Sequence, residues 1–305
     1  MKKWVKVQVP ASTSNLGPGF DVLGLALDLY NEVHAVRNAS LRGISIKIEG
    51  EGKDSLPKNQ SNVIWKAMGI VFAKMNAPME GYDLKLINRI PLMRGLGSSA
   101  AAILGGVLAG NALCGNSLKK DEVFELAVKT EGHPDNVAPQ LFGGLCISAA
   151  NGKNFEVIQL ALPKGIQAVV CVPDFELSTA KARAALPKNV PHKDAVFNAS
   201  RTALLLSALA EKRYDLLRLA MEDRLHQPYR KKLIPGFDKV LAAAYGGGAF
   251  GAALSGAGPS IFALAPKSKA EAVGRAMERA FAKAGVKSKS MDLRFNMKGS
   301  QVSCR

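Results

Sequence analysis

The chain has 305 residues, 48% of them hydrophobic, and carries 41 lysines and arginines against 25 acidic residues, a formal charge of +16. That length can bury one large or two ordinary cores, and that apolar content excludes a disordered chain. The basic residues are scattered, with Lys119-Lys120 and Lys231-Lys232 the densest clusters, and aromatics are only 6%, so no basic and aromatic platform forms and no nucleic-acid partner is expected.

The start, Met1 to Val7, is too short and too alternating for a signal peptide, and no apolar run approaches the ~20 residues that span a bilayer. A cytoplasmic protein without a membrane partner is expected. Cys114, Cys146, Cys171 and Cys304 lie far apart with no C-x-x-C pair and read as reduced residues.

In chain order, Val5, Val7 and Val9 alternate with Lys6 and Gln8, and Ile44, Ile46 and Ile48 alternate with Ser45, Lys47 and Glu49, the period of half-buried strands. Ile64, Met68, Val71 and Met75 keep helical spacing behind a Ser61 cap, and 98–113 and 118–131 also read as helices. Further strands are expected near 32–37, 82–88, 144–148 and 155–160. A boundary near Pro163-Lys164-Gly165 divides the chain into 1–163 and 164–305. The second part reads as a strand at 167–172, helices across 194–222 and 236–245, strands at 249–255 and 259–264, a helix at 268–284 and a strand near 289–295. That order approximates a split β-α-β-β-α-β unit with an extra helix.

Four segments carry chemistry. Pro91-Leu92-Met93-Arg94-Gly95-Leu96-Gly97-Ser98-Ser99-Ala100 follows a strand and opens a helix of small residues, with Ala101 next. Two glycines let the backbone approach an anion, and the helix start offers free N–H groups and a partial positive charge. No Gly-Lys-Ser/Thr closes the loop, so it is not a Walker A sequence, and amides and a metal must do the neutralising. The competing reading is a plain turn with Ser98 as helix cap.

Glu131-Gly132-His133-Pro134-Asp135-Asn136 packs acid, imidazole and amide into what reads as a loop outside the core, where Asp135 and Asn136 can hold a hydroxyl; an Asx-type turn is the alternative. Asn15-Leu16-Gly17-Pro18-Gly19-Phe20-Asp21 reads as a strand-to-helix turn with an amide and a carboxylate, and Leu254 to Ile261 reads as a glycine-bearing hairpin loop. Arg183 and Arg230 stand in loop or helix-end contexts where a guanidinium fork can match a carboxylate. Glu125, in a packed helix, either faces solvent or aims at a cation.

Together, the 15–21, 91–100 and 254–260 segments resemble, in order, the three motifs of the galactokinase, homoserine kinase, mevalonate kinase and phosphomevalonate kinase (GHMP) superfamily, over nearly the whole chain. Gly132 to Pro139, Ser178-Thr179-Ala180-Lys181-Ala182-Arg183 and Pro228-Tyr229-Arg230-Lys231-Lys232-Leu233-Ile234-Pro235 are similar to its homoserine kinases. The resemblance implies an α+β fold of two domains: 1–163, an ATP-binding left-handed β-α-β domain like that of a ribosomal protein, and 164–305, a ferredoxin-like domain, with the site between. It implies phosphoryl transfer from Mg-ATP to the side-chain hydroxyl of L-homoserine, a step toward threonine, and leaves a homodimer open.

Residue by residue, the resemblance places Pro91 to Ala101, with Gly256 and Gly258, around the phosphates and Asn62 and Val63 near the nucleoside. It assigns Ser99 and Glu125 to Mg²⁺, Arg183 and Arg230 to the substrate carboxylate and Asp21 to the ammonium. Asn15, His133, Asp135 and Asn136 fall to the acceptor, with Asp135, Asn136, Thr179 and Arg183 nearest the transfer and Asp135 either a base or an orienting group. The nearest alternative is a GHMP kinase for a mevalonate-like acceptor; a non-catalytic nucleotide sensor on the same fold is the other.

Overall fold

A computed structural model describes residues 4–79, 81–152 and 154–304. Residues 1–3, part of the N-terminal stretch read above as no signal peptide, lie outside the described residues. The first sheet has seven strands, β1 (Trp4–Ser14), β2 (Leu23–Arg37), β3 (Ile44–Gly50), β4 (Tyr82–Asn88), β5 (Leu145–Asn151), β6 (Asn154–Leu160) and β11 (Gln301–Cys304). Its path runs β11-β1-β2-β4-β3, with β5 on β2 and β6 on β5. The valines of β1 alternate as the pattern requires: Val5, Val7 and Val9 are buried and Lys6 and Gln8 half-buried.

Between β3 and β4, which pair in parallel, lies α1 (Val63–Lys74), so this part is a β-α-β crossover. The expected Ser61 cap is corrected: Asn62 is the cap, its Oδ1 accepting from Ile64 N at 2.9 Å, while Ser61 bonds Asn59. Helix α2 (Ser98–Leu113) packs on α1 and β1, and α3 (Lys120–Glu131) on α2. A nine-residue helix follows, α4 (Pro134–Phe142), where a loop outside the core was expected. Pro134 at its first position has its φ preset for a helix, and Pro134 to Leu141 are all buried.

The second sheet runs β10-β7-β9-β8, from β7 (Ile166–Pro173), β8 (Gly251–Leu254), β9 (Ile261–Pro266) and β10 (Ser288–Leu293). Its helices are α5 (Thr179–Ala184), α6 (His192–Ala210), α7 (Leu217–Ala220), α8 (Gln227–Arg230), α9 (Phe237–Gly246) and α10 (Ala270–Lys283). The expected helices across 194–222 are one long helix and a short one with a break between. Taken as strands one to four, this is the antiparallel order 4-1-3-2 of the split β-α-β-β-α-β unit. The chain then returns: β11 pairs antiparallel with β1, so the last residues of the 164–305 part lie in the first sheet. The Asn15–Asp21 turn leads into strand β2, not into a helix. Burial pushes the Cys146 and Cys171 thiols up to about 12, where they are inert, and Cys304 is exposed. No helix among the described residues is long and apolar enough to cross a membrane.

One polar cluster within the first sheet sets the start of the loop after β4. Asn31 Oδ1 accepts from Arg89 N (2.8 Å) and Ile90 N (2.9 Å), and the neighbouring Glu32, 9% exposed, bonds Lys6 (3.0 Å), His34 (2.9 Å) and Arg89 (2.9 Å). Burial raises the Glu32 carboxyl, but the bonds from His34, Lys6 and Arg89 outweigh it and hold it at about 2, against an ordinary 4.5. A carboxyl depressed by folding stabilises above its unfolded value, and that stability is lost as pH falls through its folded one. Glu32→Gln is therefore expected to lower stability by ~1–3 kcal/mol at pH 7, with the gap to wild type closing from pH 4.5 toward 2. Thermal unfolding at stepped pH measures it; a constant gap across that window would show that Glu32 is not the acid-sensitive group.

Candidate active site

The loop that follows β4 is held in a shape that only certain residues adopt. Met93, Gly95 and Gly97 take φ values of 53°, 74° and 69°. A Cβ on Gly95 would lie 2.2 Å from the Ser255 carbonyl oxygen, and one on Gly97 would lie 2.3 Å from Ser12 Oγ. Left-handed backbone and absent space together make glycine the residue that fits both positions. Ser255 Oγ donates to Gly95 O (2.7 Å) and Gln140 Nε2 donates to Gly97 O (2.8 Å), fixing the loop from both domains. Gly97 caps α2 with no side-chain bond, so Ser98 is the first helical residue and not the cap, and the first N–H groups of α2 have no side chain competing for them. The Arg94 side chain reaches the second domain, donating from Nε to Pro173 O at 3.0 Å.

This loop walls a cavity of about 610 Å³ between the two sheets. Asn15, Asp21, Asn62, Val63, Leu92, Met93, Arg94, Gly95, Gly97, Ser98, Ser99, His133, Asp135, Asn136, Thr179, Arg183, Arg230, Gly256 and Gly258 all border it. Four members of the proposed phosphate loop do not. Leu96, Ala100 and Ala101 are buried in the core beneath it, and Pro91 faces a neighbouring groove. Glu125 is also not brought in: it is exposed on α3 and does not border the cavity. The carboxylate that meets Ser99 is Glu131, the last residue of α3, which also borders the cavity and whose Oε2 accepts from Ser99 Oγ at 2.9 Å. Burial raises the Glu131 carboxyl above its usual range, against the pull of Ser99 and His133. Its signal in the sequence is its spacing, four residues after Ala127 and three after Val128 on the buried face of α3, a face that Glu125 does not share.

From the start of α4, His133 Nδ1 and Asp135 Oδ1 meet at 2.7 Å. Burial works against charge on both, yet each favours the charged form of the other: the Asp135 carboxyl is lowered from its ordinary value and the His133 imidazole raised from its own. Asn136 donates to Asp135 Oδ1 and to Ser14 Oγ, both at 3.2 Å, and accepts from Ser12 Oγ at 2.8 Å. Gln140 Nε2 donates to Ser12 Oγ as well as to Gly97 O, so one buried chain of bonds joins the acceptor end to the phosphate loop.

Asn15 and Asp21 both sit at positive φ, 71° and 57°, a conformation these two residue types tolerate. Asn15 Oδ1 accepts from Asp21 N (3.0 Å), and its Nδ2 donates to Gly256 O (3.0 Å). Asp21 pairs bidentately with Arg183, at 3.0 and 2.8 Å. Arg230, 2% exposed, donates to Ala182 O (3.3 Å) and Gly256 O (3.2 Å); burial, and then the Arg183 charge, bring its guanidinium down to about 10. Leu56, Val63 and Leu86 also line the cavity, with the Asn62 amide beside them, apolar surface suited to a nucleoside.

Comparisons with known proteins show the family of the chain. Residues 62–144 match the model of the GHMP kinases N terminal domain, and residues 205–283 that of the GHMP kinases C terminal domain. The chain is 44% identical to homoserine kinase of Carboxydothermus hydrogenoformans over 97% of its own length and 96% of the relative's, and 47% identical to that of Moorella thermoacetica over 92% and 94%. The crystal structure of homoserine kinase from Cytophaga hutchinsonii superposes with a TM-score of 0.89 at 33% identity, covering 98% of this chain and 97% of that one. Leishmania major mevalonate kinase shares the fold, with a TM-score of 0.73 at 17% identity over 94% and 95%. The chain belongs to the GHMP kinase family, among its homoserine kinases.

Proposed function

We propose that the cleft holds ATP along the phosphate loop and L-homoserine against Asp21, Arg183 and Arg230, and transfers the γ-phosphoryl group to the homoserine side-chain hydroxyl, giving O-phospho-L-homoserine and ADP. The observation that carries this reading is the meeting of opposite charges at the acceptor end: the Asp21–Arg183 pair beside the buried Arg230. An α-amino acid brings one ammonium and one carboxylate and can take over both halves of that pair. An acceptor with a carboxylate alone leaves Asp21 facing a like charge. The identity to homoserine kinases supports the same substrate.

Phosphoryl transfer asks for positioning and neutralisation more than covalent chemistry. The loop amides and the α2 N-terminus hold phosphate oxygens in this reading, and Arg183 and Thr179 border the path of the transferred group. Asp135 and Asn136 hold the acceptor hydroxyl. His133 keeps Asp135 ionised and therefore a weak base, so the carboxylate orients the hydroxyl by accepting its hydrogen bond. Ser99 and Glu131 give a hydroxyl and a carboxylate oxygen at the phosphate end, the hard donors that suit Mg²⁺ together with phosphate oxygens and water. The ion, when bound there, would neutralise phosphate charge.

Coupled ADP-release assays with L-homoserine, mevalonate, L-serine and shikimate, with the product identified by phosphorus NMR, test the reaction; turnover confined to mevalonate would overturn the substrate. Glu131→Gln is expected to raise the Mg²⁺ requirement by roughly tenfold to a hundredfold, while Glu125→Gln stays within about twofold of wild type. The reverse order would return the metal to Glu125. Arg183→Ala is expected to raise the homoserine Michaelis constant about tenfold or more and leave that for ATP nearly unchanged, as steady-state kinetics with each substrate varied will report. An equal rise for both substrates would remove Arg183 from the acceptor side.

A further inference from the structure

Behind the wall formed by the Asn15–Asp21 loop stands His226, fully buried and given no part in the chemistry above. Its Nε2 lies 2.7 Å from Gly17 O, and its Nδ1 lies 3.3 Å from Arg230 Nη1. The ring stacks on Phe20, with centroids 5.2 Å apart at 26°. The Phe20 ring also meets the guanidinium of Arg230 at 5.2 Å and that of Arg183 at 5.7 Å. One buried imidazole thus touches the loop that carries Asp21 and the arginine opposite it.

The two partners of the ring dictate its proton. A carbonyl oxygen only accepts, so Nε2 must carry hydrogen toward Gly17; a guanidinium N–H only donates, so Nδ1 must be bare toward Arg230. An imidazolium would set one N–H against another. Asp223, 3.5 Å from Nε2, does not call for a second proton, because its oxygens already accept from Asn198 Nδ2, Leu225 N, His226 N and Gln227 N at 2.6–3.0 Å. The charged groups around the ring are Asp223, Arg230 and, beyond Phe20, Asp21 and Arg183. Burial also disfavours the charged ring. Arg230 in turn spends Nη1 on His226 and on Gly256 O and Nε on Ala182 O, which leaves Nη2 without a hydrogen-bond partner among the described residues, on a side chain that borders the cavity.

We propose that His226 is a positioning residue for the acceptor: as a neutral imidazole protonated at Nε2, it ties the Asp21 loop through Gly17 to Arg230 and fixes the spacing between the group that takes the ammonium and the group that takes the carboxylate. The inference rests on the acceptor assignment of Asp21 and Arg230 given above.

Three variants separate this role from simple filling of space. His226→Gln places an amide N–H near the Nε2 position and keeps the Gly17 bond; His226→Asn places an oxygen near Nδ1 and keeps the Arg230 bond; His226→Ala keeps neither. The homoserine Michaelis constant is expected to rise in the order wild type, then Gln and Asn, then Ala, reaching on the order of 30-fold in the last, with the ATP constant within about twofold throughout. Nitrogen NMR of labelled wild-type protein, assigned by the loss of one pair of ring signals in His226→Gln, is expected to show one pyrrole-type and one pyridine-type nitrogen, with the proton on Nε2. It reads the ring even where His226→Ala does not fold. Two pyrrole-type nitrogens, equal rises for both substrates, or Gln and Asn variants no better than Ala would overturn the role of His226 while homoserine turnover by wild type stands. Wild type that phosphorylates mevalonate in place of homoserine would instead overturn the functional reading, and the acceptor role of His226 with it.

Discussion

The contact on which the site depends is the one between Gly95 and the Ser255 carbonyl. The first belongs to the seven-stranded sheet's loop and the second to the end of β8 in the four-stranded sheet, and no side chain fits between them. Around that contact Ser255 Oγ bonds Gly95 O and Thr13 Oγ1, Gly256 N bonds Ser14 O, and Asn15 Nδ2 bonds Gly256 O. Three loops from distant parts of the chain therefore meet in one buried seam. The domains are joined at the place where the phosphate loop takes its shape, so the geometry of the anion site and the docking of the two cores rest on the same hydrogen bonds.

The seam also divides the cavity's electrostatics. On one side lie helix amides, Ser99 and the half-buried Glu131, groups that gain from an anion with its counter-cation. On the other lie Asp21, Arg183 and Arg230, with His133 and Asp135 between the two. Partial burial weakens water's screening of these charges, and each is held in place by protein bonds before a ligand arrives. The ordering cost that a flexible site would meet on binding is largely met in folding.

Much of this was legible in the sequence where the signal is local. The alternating valines of β1 have one face against helices, and the glycines of 95–97 announce a tight anion loop. What failed to show depends on tertiary contact. Pro134, Asp135 and Asn136 are common turn formers, yet the covering strands bury them as a helix. Periodicity within α3 does separate its two carboxylates, since Phe124, Ala127, Val128 and Glu131 share the buried stripe and Glu125 lies off it, but a polar residue at the end of that stripe reads as a frayed helix end until the cleft beside it is seen. The four-residue, exposed β11 has no pattern of its own and exists by pairing with β1, almost the full chain length away. Asp21 and Arg183, 162 positions apart, were both assigned to the acceptor, but their mutual pairing has no local trace.

The central claim is that the acceptor pocket reads both charges of an amino acid. Calorimetric titration of the protein with L-homoserine, with 4-hydroxybutanoate, which lacks the ammonium, and with 3-aminopropan-1-ol, which lacks the carboxylate, tests it most directly. Both truncated compounds should bind at least about a hundredfold more weakly than L-homoserine, since each leaves a charged group of the site without its partner. Binding of either compound as tight as that of L-homoserine would contradict the account.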